Sequence, residues 1–174
     1  AFGDFELTFQ WKATVAGNSG VKYRIPEQAT EAVGPEFQLL DPAAPTENPE
    51  HRAGALYDVI PAGASPTVPW GEFHEARIVS RGSTLEHWLD GALVASADTS
   101  SDEWTAAVAD SKFRGRDSFA AAGPGRILIQ DHGDEVWIRG MRIRELGGGD
   151  QLANPLFPSG STGGWSNVGD ARYE

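Results

Sequence analysis

The chain has 174 residues, with 14 Lys and Arg against 25 Asp and Glu, six Trp and no Cys. That length and a 40% hydrophobic content fit one domain with a real core; two domains would be cramped, and disorder over most of the chain is excluded. A net charge of −11 repels nucleic acid, the lack of cysteine rules out disulfides and thiolate zinc sites, and no apolar run reaches the ~18 residues of a membrane span.

Phe5, Leu7, Phe9 and Trp11 alternate with Asp4, Glu6, Thr8 and Gln10, the period of two that marks a half-buried strand, and Trp11 falls on its core face. Residues 16–20 read as a tight connection to a second strand, in which Val21, Tyr23 and Ile25 alternate with Lys22 and Arg24. In the next, Phe37 and Leu39 enter the core while Glu36 and Gln38 share the other face. Ala53–Ile60 and Phe73–Val79 are expected as further strands. Leu85–Leu89 and Ala92–Ala95 flank Asp90-Gly91, a dipeptide suited to the positive φ angles of a type I′ hairpin turn. Ser101 is placed to cap a short helix carrying Trp104, Ala107, Val108 and Ser111 on one face. Arg126–Gln130 and Glu135–Leu146 read as a last pair of strands, joined through residues 131–134.

Short strands separated by turns indicate an all-β antiparallel sandwich or barrel. The pattern divides the chain into a sandwich over residues 1–146, a Gly-rich linker over 147–151 and an extended tail over 152–174. Ala1 opens the chain without a methionine or signal-like segment, which fits a processed or trimmed product. Lack of cysteine does not exclude secretion, and an extracellular or periplasmic (secreted) setting is expected.

Seven segments, in order, resemble the 3-keto-disaccharide hydrolase domain family: residues 3–11 (GDFELTFQW), 17–24 (GNSGVKYR), 34–41 (GPEFQLLD), 53–57 (AGALY), 86–91 (EHWLDG), 110–113 (DSKF) and 125–133 (GRILIQDHG). The resemblance implies a concanavalin A-like jelly roll of two packed sheets and a carbohydrate partner, bound or cleaved on a concave sheet face. Several features depart from the family, among them Asp90-Gly91 for its hairpin Asn-Gly and the lack of the Asp-Gly-turn strand that follows its N-terminal segment. Phe73-His74 stands where it usually has Trp-Asn, with Trp70 a little earlier. A segment like its N-terminal one occurs instead at the C-terminus, as Leu156-Phe157 through Trp165 to Tyr173-Glu174. A circular permutant, a fragment ending in a second domain, and a subunit of an extracellular filament or tandem array all fit. In the last, strand exchange through Leu152–Glu174 would complete a neighbour's sheet and give self-association.

Arg24, Glu36, Gln38 and Asp41 lie in the best-matching segments, and His87, Gln130 and His132 join them from later strands; the resemblance implies that these line the sugar-binding face, with Tyr57 among the substrate contacts. Carboxylates and amides bind hydroxyl pairs, arginine forks onto sugar oxygens, and histidine titrates near neutrality. Glu36 is the first choice for a catalytic carboxylate and Asp41 the second. A 3-keto sugar is also open to elimination, for which His87 or His132 is the expected base. Trp70, in a Pro-rich loop, is the candidate for stacking on a sugar ring. Structural alternatives stand beside these: an Arg24–Glu36 ion pair between neighbouring strands, local turn bonds for His132, solvation for His51 and His74, and either sheet face for Trp88 and Trp137. No cofactor or metal motif stands out, although scattered acidic residues leave calcium open, as lectin-like sandwiches use it.

Overall fold

The computed structural model describes residues 1–41, 43–44, 46–63, 69 and 71–147 and the backbone of 154–155. The expected alternation becomes strands β1 (Phe5–Ala13), β2 (Asn18–Pro26), β3 (Glu36–Leu40), β4 (His74–Arg81), β5 (Thr84–Leu89) and β6 (Ala92–Asp98). They are followed by helix α1 (Asp102–Asp110), β7 (Gly125–Gln130), β8 (Val136–Glu145) and the two-residue β9 (Asn154–Pro155). Two sheets result, one in the order β6-β5-β4-β1-β8-β9 and one in the order β3-β2-β7, and every pairing is antiparallel. The chain is thus the expected two-sheet sandwich with one short helix.

β1 is the central rail of the larger sheet. Its apolar set, Phe5, Leu7, Phe9 and Trp11, is buried against Val21 and Tyr23 of β2 and Phe37 and Leu39 of β3. Leu85 and Leu89 of β5 and Met141 and Ile143 of β8 extend the same core. Each fully buried side chain of this size contributes about 1.5–3 kcal/mol of transfer free energy, so one continuous cluster holds the sheets together. Edge-on ring pairs, Phe5 with Tyr23 at 6.0 Å and Phe9 with Phe37 at 6.1 Å, cross the interface. The Asp90-Gly91 turn takes positive φ at both residues (49° and 81°), as its sequence demands. Ser101 Oγ accepts the amide of Trp104 at 3.1 Å and caps α1, which buries Trp104.

Two expectations are corrected. Ala53–Ile60 is not a strand: Leu56 makes isolated bridges to Phe37 and Ile60, and the segment turns back on itself so that Ala55, Leu56 and Val59 are buried together. β7 and β8 do not pair with each other either. β7 adds to β2 and β8 to β1, so residues 131–135 cross from one sheet to the other. That crossing is tied down where Asp134 Oδ2 accepts the amide of Asn18 at 3.0 Å and Glu135 O accepts that of Thr14 at 3.1 Å. Trp70, and the tail of 152–174 apart from β9, lie outside the described residues.

Candidate functional site

The outward face of the three-stranded sheet is laid out by its register. Gly20 of β2 pairs with Gln38 on one side and Gln130 on the other, and Lys22 pairs with Glu36 and Leu128. Two cross-strand rows therefore share the face opposite the core: Gln38–Gly20–Gln130 and Glu36–Lys22–Leu128. Glycine at position 20 leaves room for the Glu36 carboxyl, since a Cβ there would overlap Oε1 in its present place. The missing side chain makes a trough into which the carboxyl of Glu36 settles, and the residue is only 4% exposed.

Burial removes water from the Glu36 carboxyl and pushes it above the usual carboxylate range. The positive charges around it oppose that shift: Lys22, whose Nζ is 3.6 Å from Oε2, then Lys112, then His132. Lys112 follows α1 by two residues and lays its Nζ 4.0 Å from the centre of the Tyr57 ring. Partial desolvation holds its ammonium below the ordinary range, against the pull of Glu36 and Asp58. Tyr57 is joined to β3 by its amide, which donates to Glu36 O at 3.0 Å, and its ring stacks on His51 at 4.6 Å. Desolvation, with Glu36 and Asp58 adding to it, raises the Tyr57 phenol. Asp58 anchors this corner, bonding His51 Nε2 at 2.8 Å with one oxygen and accepting the Lys112 amide at 2.7 Å with the other.

The structure thus brings together Glu36, Gln38, Tyr57, Gln130 and His132. Gln38 Nε2 donates to Asn18 Oδ1 at 3.0 Å, while His132 is exposed just beyond β7. The other expected site residues lie elsewhere. Arg24 sits at a bulge of β2 with φ 51° and turns inward, where Nε donates to Ser80 Oγ at 2.8 Å and Nη2 to the Gly82 carbonyl. It has no ion pair with Glu36, whose partner is Lys22. His87 is fully buried between the sheets, so it takes no place on the outward face. Asp41 is buried as well and orders a turn, its Oδ1 accepting the amides of Ala16 at 3.1 Å and Ala43 at 2.8 Å.

His51 and His74 are not simply solvated. His51 pairs with Asp58, and His74, 1% exposed, holds Asp90 Oδ2 at 2.7 Å. Sequence reasoning passed over Lys22 and Lys112. The signals were there: Lys22 alternates outward between Val21 and Tyr23, and Lys112 lies in the matching DSKF segment. Among the described residues no group of three or more His, Asp or Glu side chains is gathered as a metal set.

Comparison with known proteins adds to this geometry. The sequence profile of the 3-keto-alpha-glucoside-1,2-lyase-like domain matches residues 1–144. A protein of Bacteroides thetaiotaomicron named 3-keto-disaccharide hydrolase is 31% identical over 173 aligned residues, covering 83% of this chain. The chain spans 59% of that relative's length. Two solved structures of Parabacteroides distasonis proteins, each proposed to be a glycosyl hydrolase, share the fold at 22% identity. One superposes with a TM-score of 0.73, covering 84% of this chain and 73% of the other; the second gives 0.65, covering 83% and 79%.

Proposed function

The chain belongs to the 3-keto-alpha-glucoside-1,2-lyase-like domain family, and we propose that the outward face of its three-stranded sheet cleaves a 3-keto-glycoside by elimination. The observation that carries this reading is the setting of Glu36: a carboxyl buried in a glycine-floored trough, with Lys22 Nζ 3.6 Å from it and the charges of Lys112 and His132 near enough to act on it.

The substrate's own chemistry sets what is required. A ketone at C3 acidifies the hydrogen on C2, because the electrons left behind are delocalised as an enolate. A base removes that proton, a cation stabilises the enolate oxygen, and the C1–O bond breaks as the departing oxygen takes up a proton. One proton leaves C2 and one arrives on the leaving group, so the step balances, and the products are an alcohol and a 1,2-unsaturated 3-keto sugar. Addition of water across that double bond gives the 3-keto monosaccharide, which makes the overall change a hydrolysis.

In this scheme His132, exposed and free to reach a substrate, is the base. The ammonium groups of Lys112 and Lys22 face the enolate oxygen, where a fixed cation acts as an oxyanion stabiliser. Glu36 stays protonated to higher pH than an ordinary carboxyl, so it is suited to donate to the departing oxygen. Gln38, Gln130 and Tyr57 supply hydrogen bonds to the sugar hydroxyls.

The test is incubation with a 3-keto-disaccharide such as oxidised trehalose in D2O, following release of the 3-keto monosaccharide. Elimination and rehydration place deuterium at C2. His132→Ala is expected to lower the rate by about 10²–10⁴-fold, the usual contribution of a general base. No release by the folded wild-type protein sinks the reading, and release without deuterium at C2 replaces elimination with direct displacement.

A further inference from the structure

The opposite side of the molecule carries a second organised surface. On the outward face of the six-stranded sheet the register aligns Arg142, Thr8, Arg77 and Trp88 in one row across β8, β1, β4 and β5, with Leu93 of β6 beyond them. A parallel row sets Trp137 beside Lys12, next to Phe73, and Arg139 lies between the two rows opposite Gln10. Each ring is matched with a cation: Arg77 lies over Trp88 at 4.0 Å, Arg139 over Phe73 at 3.7 Å and Lys12 over Trp137 at 4.4 Å.

The charge on this face runs against that of the chain. Across the middle of the face Lys12, Arg77, Arg139, Arg142 and Arg144 stand against Glu6, Glu75 and Glu86, while Arg81 with Asp4 and Asp98, and Glu135, lie at its ends. The middle of the face is therefore net positive on a chain whose net charge is −11. Its carboxylates are in part already engaged, Glu6 with Arg144 at 3.1 Å and Arg77 at 3.6 Å, and Glu86 with the Trp88 indole at 2.8 Å. Among the described residues no carboxylate pairs with Arg142, which is exposed; Trp137 and Leu93 are 38% and 48% exposed.

We propose that this face binds a polysaccharide carrying carboxylate groups, at a surface separate from the cleavage site on the other sheet. Guanidinium forks fit carboxylates two bonds at a time, and the flanking rings offer flat apolar ground for sugar faces. The geometry favours a thin chain over a bulky polyanion. Five strands at their usual spacing make a face about 20 Å across, and an acidic protein or nucleic acid duplex overrunning it is repelled by a chain of net charge −11.

The experiment is affinity electrophoresis of the whole chain in gels containing polygalacturonate or, as the neutral control, dextran. Polygalacturonate is expected to retard the wild-type protein, less so as salt rises, and dextran to leave it unretarded. Arg142→Gln is expected to raise the apparent dissociation constant about fivefold, since it removes a charge-assisted bond, and Trp137→Ala to weaken retention by a similar factor, with both variants keeping the wild-type near-UV circular dichroism. Three results overturn the proposal: equal retardation in both gels, no retardation at low salt, or wild-type retention by both variants. A fourth is a wild-type dimer in sedimentation that Arg142→Gln makes monomeric while polygalacturonate retention is unchanged, which assigns the face to a second copy of the chain.

Discussion

Tyr23 and His87 meet in the middle of the sandwich, the phenol oxygen 2.9 Å from Nε2. The bond joins β2 of the small sheet to β5 of the large one. Nδ1 of the same ring faces the carbonyl of Gly54 at 3.1 Å, and a carbonyl can only accept, so Nδ1 carries the proton. Nε2 is then the acceptor and Tyr23 the donor. The neutral ring satisfies both nitrogens, and burial, which disfavours the charged form, lowers the His87 pKa to about 4.

This arrangement makes the fold sensitive to acid. The folded pKa lies below the ordinary value of 6.5, so the unfolded chain takes up a proton first as the pH falls. The contribution of His87 is fully present above about pH 6.5 and is lost as the pH drops toward 4, by about 3 kcal/mol in all. Urea midpoints measured from pH 7 down to pH 4 are expected to fall through this window, and to fall less in His87→Phe. Tyr23→Phe leaves Nε2 without its partner and costs about 1–3 kcal/mol at pH 7; an unchanged midpoint there means that the Tyr23–His87 bond adds nothing to stability.

Glu36→Gln separates function from stability. The folded pKa of Glu36 is raised by desolvation, so the folded state binds its proton more tightly than the unfolded chain does. Its contribution to stability therefore declines as the pH rises from the ordinary carboxylate range through the raised pKa. An amide at this position escapes that decline but gives up the ion pair with Lys22. The melting temperature of Glu36→Gln at pH 7 is expected to equal or exceed that of the wild type, while cleavage of the 3-keto-disaccharide falls by about 10²-fold or more, as for loss of a general acid. A stable variant with full activity removes Glu36 from the mechanism.

Gly20→Ala tests the trough directly. The added methyl occupies the place of Glu36 Oε1, and the flexible carboxyl has to swing outward past Lys22. Overpacking of this kind costs about 1–3 kcal/mol when it is confined to one site. Activity is expected to fall far more than stability, and in chemical denaturation the variant should still unfold cooperatively. Retained activity means that the buried position of the carboxyl is dispensable.

The alternation of β1, β2 and β3 made the core faces legible, because each strand buries one side and shows the other. The same alternation put Glu36 and Gln38 on one outward face. It failed at Arg24, where an extra residue in β2 and a positive φ turn a nominally outward side chain into the interior; local composition carries no mark of a bulge, since arginine is not the residue expected at φ 51°. The family resemblance implied His87 on the sugar-binding face and His74 was expected in solvent, yet each is buried with partners drawn from distant strands or turns, and that pairing is decided only by tertiary contacts. β7 and β8 read as a hairpin because a short turn sequence joins them; that reading overlooked that a sandwich also uses such turns to change sheets. Lys112 belongs to the site through the packing of the segment after α1 against Tyr57, a contact between residues 55 positions apart, which no local pattern encodes.

Arg24 gives a last, independent check on which charged groups are structural. Its guanidinium spans from the bulge in β2 to the end of β4, bonding Ser80 and the Gly82 turn, and burial lowers its pKa from the ordinary value while Tyr23 and Asp4 oppose the shift. Arg24→Ala leaves the Ser80 hydroxyl and the Gly82 carbonyl without this donor, at a cost of about 2–4 kcal/mol. Arg24→Lys keeps the charge but lacks the planar fork that reaches both acceptors, so it recovers only part of that loss. Neither variant should change kcat/KM per folded molecule by more than about twofold, because the side chain faces away from the Glu36 trough. The measurement is a urea denaturation series paired with kinetics on the 3-keto-disaccharide. Wild-type stability with a large rise in KM would instead place the guanidinium on the substrate.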